Sequence, residues 1–446
     1  VYGITDDDHV VCGSGETVVS ALPASGGAGV AITTGSFQGA LVVHDVVFVW
    51  ADSGLLVWSP GMTAARPVAS SSLVGMAAAS ADSSSIAFSC NASQTGSTTD
   101  LCAANLGDLG SPTTIASGVD SSYWPNDVDL GTGACSAPVL RFVGTSPARL
   151  VASFCTPSDA GGDSPGVLVS YSSSGWAPVV LDTELSSQDW VNGFWTDTSD
   201  STVAFVASDE LQIVSATGGT VTDVDGIADE NFGIDRALWV PPVYLSRNGD
   251  FVVYATGQAV RRSTVAAPAP VTLLASGAEG LGPVSPDESW AFGIVAYDET
   301  SFEGLRLVSL TPGATQPGVL ATPPDSVLDL YGDAFTADSK YALFAIGGAE
   351  FELWATPTGM PSANPVMVTD TAFGTYRAIG GSRLSLLDNV QTSTTQESMG
   401  DLETVDLSTG LSLTLVAHSV TSFAVSPDQK YLAYAGAQGV RVVSAQ

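Results

Sequence analysis

The sequence predicts an all-β chain folded as a β-propeller of four-stranded blades. Three observations predict it: few helix formers, a repeated turn-and-strand unit, and recurrence of that unit roughly every 40 to 50 residues. Ala, Gly, Ser, Thr and Val dominate, aspartate far outnumbers glutamate, and lysine occurs only as Lys340 and Lys430. Such a chain favours strands and turns over helices. At 446 residues and 45% hydrophobic content it can bury one large core or several small ones.

The repeat is clearest where Ser426-Pro427-Asp428-Gln429-Lys430 leads into Tyr431-Leu432-Ala433-Tyr434-Ala435. Thr336-Ala337-Asp338-Ser339-Lys340 leads into Tyr341-Ala342-Leu343-Phe344-Ala345 in the same way, so the two lysines hold equivalent places. Weaker copies begin at Ser285, Ser246, Ser80, Thr198 and Ser146. Each copy has hairpin chemistry: a turn of Pro, Asp, Asn or Gly, then a short aromatic and β-branched run. A third strand follows, such as Phe351-Glu352-Leu353-Trp354-Ala355 or Val440-Arg441-Val442-Val443, and then a fourth such as Pro365-Val366-Met367-Val368. One twisted sheet cannot bury both of its faces alone, and stacking sheets radially solves that.

The units fall at 1–33, 39–69, 75–116, 137–181, 192–224, 237–275, 280–320, 331–369, 374–417 and 420–446, read as one propeller domain over 1–446. An eight-bladed ring, or two smaller rings, are the alternatives. The last unit supplies only three strands. Either the N-terminal end lends it a fourth, or it stays three-stranded.

Ser-Pro-Asp-x-Lys-Tyr-Leu-Ala-Tyr followed by a strand like Leu-Trp-Ala resembles the WD40-like repeat of TolB-type bacterial propellers. The resemblance spans most of the chain and is specific in the copies starting near 246, 285, 336 and 426. It implies a propeller, a secreted or periplasmic address and a role in protein contact. It carries over no catalytic residue.

Charge narrows the partners. With 46 acidic against 13 basic residues and a net charge of -33, the surface cannot track a phosphate backbone, which excludes nucleic acid. The acidic, lysine-poor composition fits either high salt or an extracellular product of a GC-rich bacterial genome. No apolar run reaches membrane-spanning length. The chain opens on Val1 without a charged, apolar leader, as a processed form or a fragment would.

Five cysteines, Cys12, Cys90, Cys102, Cys135 and Cys155, contain no Cys-x-x-Cys pair. Cys90 with Cys102 and Cys135 with Cys155 is the economical disulfide pairing in an oxidising compartment, leaving Cys12 as a buried small hydrophobe or a link to another chain. The three histidines, His9, His44 and His418, have no metal-spaced partner, and no Gly-x-Ser-x-Gly elbow precedes a helix, so serine-hydrolase chemistry has no support.

Asp223, Asp225, Asp229, Glu230 and Asn231 surround Gly226 and form the best calcium candidate, although the full EF-hand register is missing. The bland reading of that stretch is an acidic solvated loop. The acids near Asn126 and at Asp6–Asp8 read as surface turns. The function expected is a non-catalytic secreted, cell-surface or periplasmic propeller that binds protein or self-associates, without a cofactor. The alternatives are a carbohydrate-active propeller, with tunnel-mouth acids and tryptophans as its tools, and a calcium-dependent lectin-like binder.

Overall fold

A computed structural model describes the chain apart from residues 15–16, 93–97, 121–138, 145–147, 156–165, 186–193, 198–201, 208–209, 227–242, 257–258, 276–279, 299–300, 315–318, 322–327, 330–331, 348–349, 361–363, 393–397, 437–438 and 446. Its described residues form an all-β propeller in which consecutive antiparallel strands build each sheet from one side to the other. Seven separate four-stranded sheets occupy 3–33, 37–69, 77–120, 139–185, 194–226, 243–274 and 280–321, and are blades 1 to 7. Blades 8, 9 and 10 are joined in one nine-stranded sheet over 328–444, because Val366–Ala378 and Thr414–Val425 each run on from the fourth strand of one blade into the first strand of the next. First strands of neighbouring blades touch one another, so they stand innermost.

Ten hydrophobic clusters hold the blades together, one for each junction around the ring. Val47, Val49 and Trp58 of blade 2 pack on Val11, Val19 and Ile32 of blade 1, and the same face-to-face packing recurs from blade to blade. The tenth cluster joins Ala433 of blade 10 to Ile4 and Val10 of blade 1 and closes the circle. Alternating side chains of a blade therefore serve two junctions, which is why its middle strands read as nearly continuous apolar runs.

The repeated turn links first and second strands. In blades 3, 6, 7, 8 and 10 it opens on Ser80, Ser246, Ser285, Thr336 and Ser426, all buried. Each hydroxyl accepts the N–H of the residue five places on, at 2.9 to 3.1 Å. Except at Ser246, it also donates to the aspartate two places on, Asp82, Asp287, Asp338 or Asp428, at 2.6 to 2.8 Å.

The fourth turn residue takes positive φ, from 53° at Ser83 to 68° at Gly249. A side chain there costs strain. In three blades that side chain clips the preceding blade: Ser83 accepts the Asp45 N–H at 3.1 Å, Glu288 that of Arg247 at 2.7 Å and Ser339 that of Asp287 at 3.0 Å. Gly249 has no such role, and a Cβ there would lie 2.3 Å from Asp197 Oδ2.

Third strands share a second regularity. Blades 1 to 9 each carry a Leu or Val, from Val19 to Leu402, that is at most 3% exposed. A β-bulge against the fourth strand follows it every time. Bulges re-aim the next side chain.

Blade 10 departs from the pattern. Among the described residues it has three strands, the inner part of Thr414–Val425, Tyr431–Gly436 and Gly439–Ser444, and the N-terminal strand stays within blade 1.

Candidate functional site

The bulged position of the third strand is where blades differ chemically. In blade 3 it holds Cys102, disulfide-bonded to Cys90 across neighbouring strands with 5.9 Å between Cα atoms. Cys135 lies outside the described residues, as does the side chain of Cys155. Cys12 is buried and free in the second strand of blade 1, where burial pushes its thiol pKa up and keeps it unreactive.

In blade 6 the bulged residue is Arg261, whose guanidinium meets Asp225 of blade 5 at 2.6 Å. Tyr254 donates to the same carboxylate oxygen at 2.6 Å, and burial together with that carboxylate pushes the phenol pKa well up. Asp225 therefore works as a clip between blades. Asp223 accepts from Gln212, the bulged residue of blade 5, at 3.1 Å. Asp229, Glu230 and Asn231, the rest of the expected calcium set, lie outside the described residues.

In blade 9 the bulged residue is Glu403, within a group that no local pattern announces. Asp388, 3% exposed, accepts from Thr369 at 3.1 Å, from Thr371, and from the Asn389 N–H at 2.9 Å. Asp401 pairs opposite Asp388 and accepts from His418 Nδ1 at 2.8 Å. Burial, then the charges of Asp388 and Asp401, raise the Glu403 pKa, with His418 opposing them. Its Oε2 is buried without a hydrogen-bond partner among the described residues.

The other histidines are structural. His44 bonds Asp6 at 3.0 Å across blades 1 and 2, and His9 meets Trp58 edge-on at 5.6 Å. Trp50, Trp58 and Trp176 are buried, and Trp290 and Trp354 pack against the cluster between blades 7 and 8.

The outer rim has a different character. Among the described residues eight large hydrophobic side chains are exposed, and five of them stand on the adjacent blades 8 and 9: Met360, Val366, Met367, Leu411 and Leu415. They occupy the fourth strands and the turns leading into them. Next around the ring is blade 10, with three strands among the described residues. There Val440 stands four residues before the strand end at Ser444, as Leu402 stands before Asp406 and Leu305 before Ser309. Its nine equivalents are buried, whereas Val440 is half-exposed.

No protein-family model matches the chain, and no curated protein matches it. A eukaryotic initiation factor structure superposes at a TM-score of 0.55 over 98% of this chain and 92% of that one, at 9% identity. That likeness is one of fold. Dipeptidyl peptidase 4 of Porphyromonas gingivalis aligns at 0.49 over 97% and 63% with 8% identity. A prolyl endopeptidase aligns at 0.35 over 57% of this chain with 15% identity, and the chain spans 41% of its length. Neither peptidase likeness is close enough to bear on chemistry. Among the described residues no helix is long and apolar enough to cross a membrane.

Proposed function

We propose that this protein is a non-catalytic, secreted or cell-surface propeller of the TolB-like repeat type that binds a protein partner through its outer rim. One observation carries the reading: among the described residues, five of the eight exposed large hydrophobics stand on the outer strands and turns of two adjacent blades. Scattered apolar residues are normal on a soluble surface, but a gathered set marks a contact site. The disulfide between Cys90 and Cys102 supports an oxidising address. The rigid ring, clipped turn to turn, suits a scaffold that keeps its shape on binding.

The test replaces Met360 and Leu411 by Ser and Met367 and Leu415 by Thr in one variant. Native mass spectrometry of the protein recovered from its source is expected to give a partner-bound mass for the parent and the bare chain for the variant, at equal melting temperature. A variant that keeps the partner, or a parent that carries none, would overturn the reading.

A further inference from the structure

The turns between first and second strands make a circle of contacts of their own. The positive-φ residues His44, Ser83, Glu288 and Ser339 each bond the turn of the blade before, so four junctions are clipped at this level. Asp8 holds that place in blade 1, at a φ of 56° between the strands Gly3–Ile4 and His9–Ser14. Blade 10 packs against blade 1 on this side, and its turn is Ser426-Pro427-Asp428-Gln429-Lys430.

Asp8 is placed to clip that turn, yet its Oδ1 is buried without a hydrogen-bond partner among the described residues. Asp428 has no proton to give it. That carboxylate accepts from Ser426 Oγ at 2.7 Å, from the Lys430 N–H at 3.1 Å and from the Lys430 ammonium.

Four charged or titratable groups face Asp8: Asp428 and Lys430 from blade 10, Asp7 and His9 from its own turn. Burial first, and then the Asp428 charge, favour the protonated carboxyl, while Lys430 and His9 oppose them. A half-buried carboxylate without a donor costs the folded junction free energy that its neutral form does not. That cost falls on the most lightly packed junction of the ring, whose three buried residues are Ile4, Val10 and Ala433.

We propose that the junction of blades 1 and 10 is an acid-set latch, loosened while Asp8 is a carboxylate facing Asp428 and tightened when Asp8 takes up a proton. Asp338 and Asp428 respond to acid in the opposite sense, because their hydrogen bonds favour the ionised form. A raised carboxyl contributes stability that is complete below its unfolded pKa of about 4 and is lost as pH rises through its folded value. Mild acid therefore stiffens the ring at one place before stronger acid weakens the turns.

Native-state amide exchange at about pH 7 and about pH 4.5, corrected for the intrinsic rate at each, tests the latch. Protection at Ile4, Val10 and Ala433 is expected to rise by about three-fold or more at the lower pH, relative to Phe292 and Phe344 at the junction clipped by the neutral Ser339. Asparagine accepts the left-handed backbone, so Asp8→Asn keeps the turn and is expected to hold the higher protection at both pH values. Carboxyl 13C NMR of the parent reads the group directly, even if that variant folds poorly. The Asp8 midpoint is expected above the ordinary value of about 4. A protection ratio that does not change with pH, a response that survives Asp8→Asn, or an Asp8 midpoint at or below the ordinary value overturns the proposal.

Discussion

Ser426 shows how a single hydroxyl can set a turn. It accepts the Tyr431 N–H at 2.9 Å and donates to Asp428 at 2.7 Å, while 1% exposed. Replacing it by Ala strands a buried N–H, so Ser426→Ala is expected to cost about 1 to 2 kcal/mol in urea unfolding. The aspartates of these turns carry a pH dependence. Burial works against Asp338, but hydrogen bonds from Ser382, Lys340 and Thr336 outweigh it and hold its carboxyl down at about 2. Bonds from Lys430 and Ser426 hold Asp428 at about 2 as well. A depressed carboxyl contributes stability that is complete above its unfolded pKa of about 4 and is lost as pH falls from there towards 2. Asp338→Asn is therefore expected to flatten the fall in stability between about pH 4 and 2, measured by urea midpoints across that range. A slope equal to the parent's would assign acid sensitivity elsewhere. These residues were legible in the sequence, because Ser, Pro and Asp at fixed offsets have few other uses.

At the scale of the strand, the bulge is the device that separates a constant position from a variable one. The Leu or Val before it fills a junction, and the residue after it is free to be Cys, Gln, Arg, Trp or Glu. In blade 3 that freedom holds a cross-strand disulfide closing a loop with a sequence separation of 12. Loop-closure entropy puts its contribution at about 3 kcal/mol. The Cys90→Ser, Cys102→Ser double variant is expected to lose roughly that amount, with blade 3 amides exchanging fastest; an unchanged urea midpoint would mean that the junctions on either side already hold the blade. Strand-level detail was only partly legible. Val366–Ala378 is one unbroken strand through two blades, although Thr369-Asp370-Thr371 has the look of a turn. The reason lies in three dimensions: Thr369 and Thr371 both donate to the buried Asp388, and those bonds absorb polar groups that would otherwise seek solvent. No local pattern announces that pairing. The grouping of Asp388, Asp401 and Glu403 escaped for the same reason, since it depends on strand register.

The whole ring follows from repetition, and its blade count was readable because each blade repeats a turn and a strand. Its closure was not readable, because packing of Ala433 on Ile4 and Val10 leaves no mark in either segment. Nine junctions are crossed by the chain itself, and their clusters hold seven or more buried residues. The tenth has three and shares no strand. Its electrostatics are also strained: burial and then Asp428 raise the Asp8 pKa, with Lys430 opposing, and Asp8 Oδ1 is buried without a hydrogen-bond partner among the described residues. Native-state exchange is expected to report the lowest opening energies at blades 1 and 10, and uniform protection around the circle would refute this. Mechanically, such a ring is a bracelet with one light clasp. Load applied anywhere on its circumference is expected to be relieved first at the junction of those two blades, where the fewest buried side chains must part.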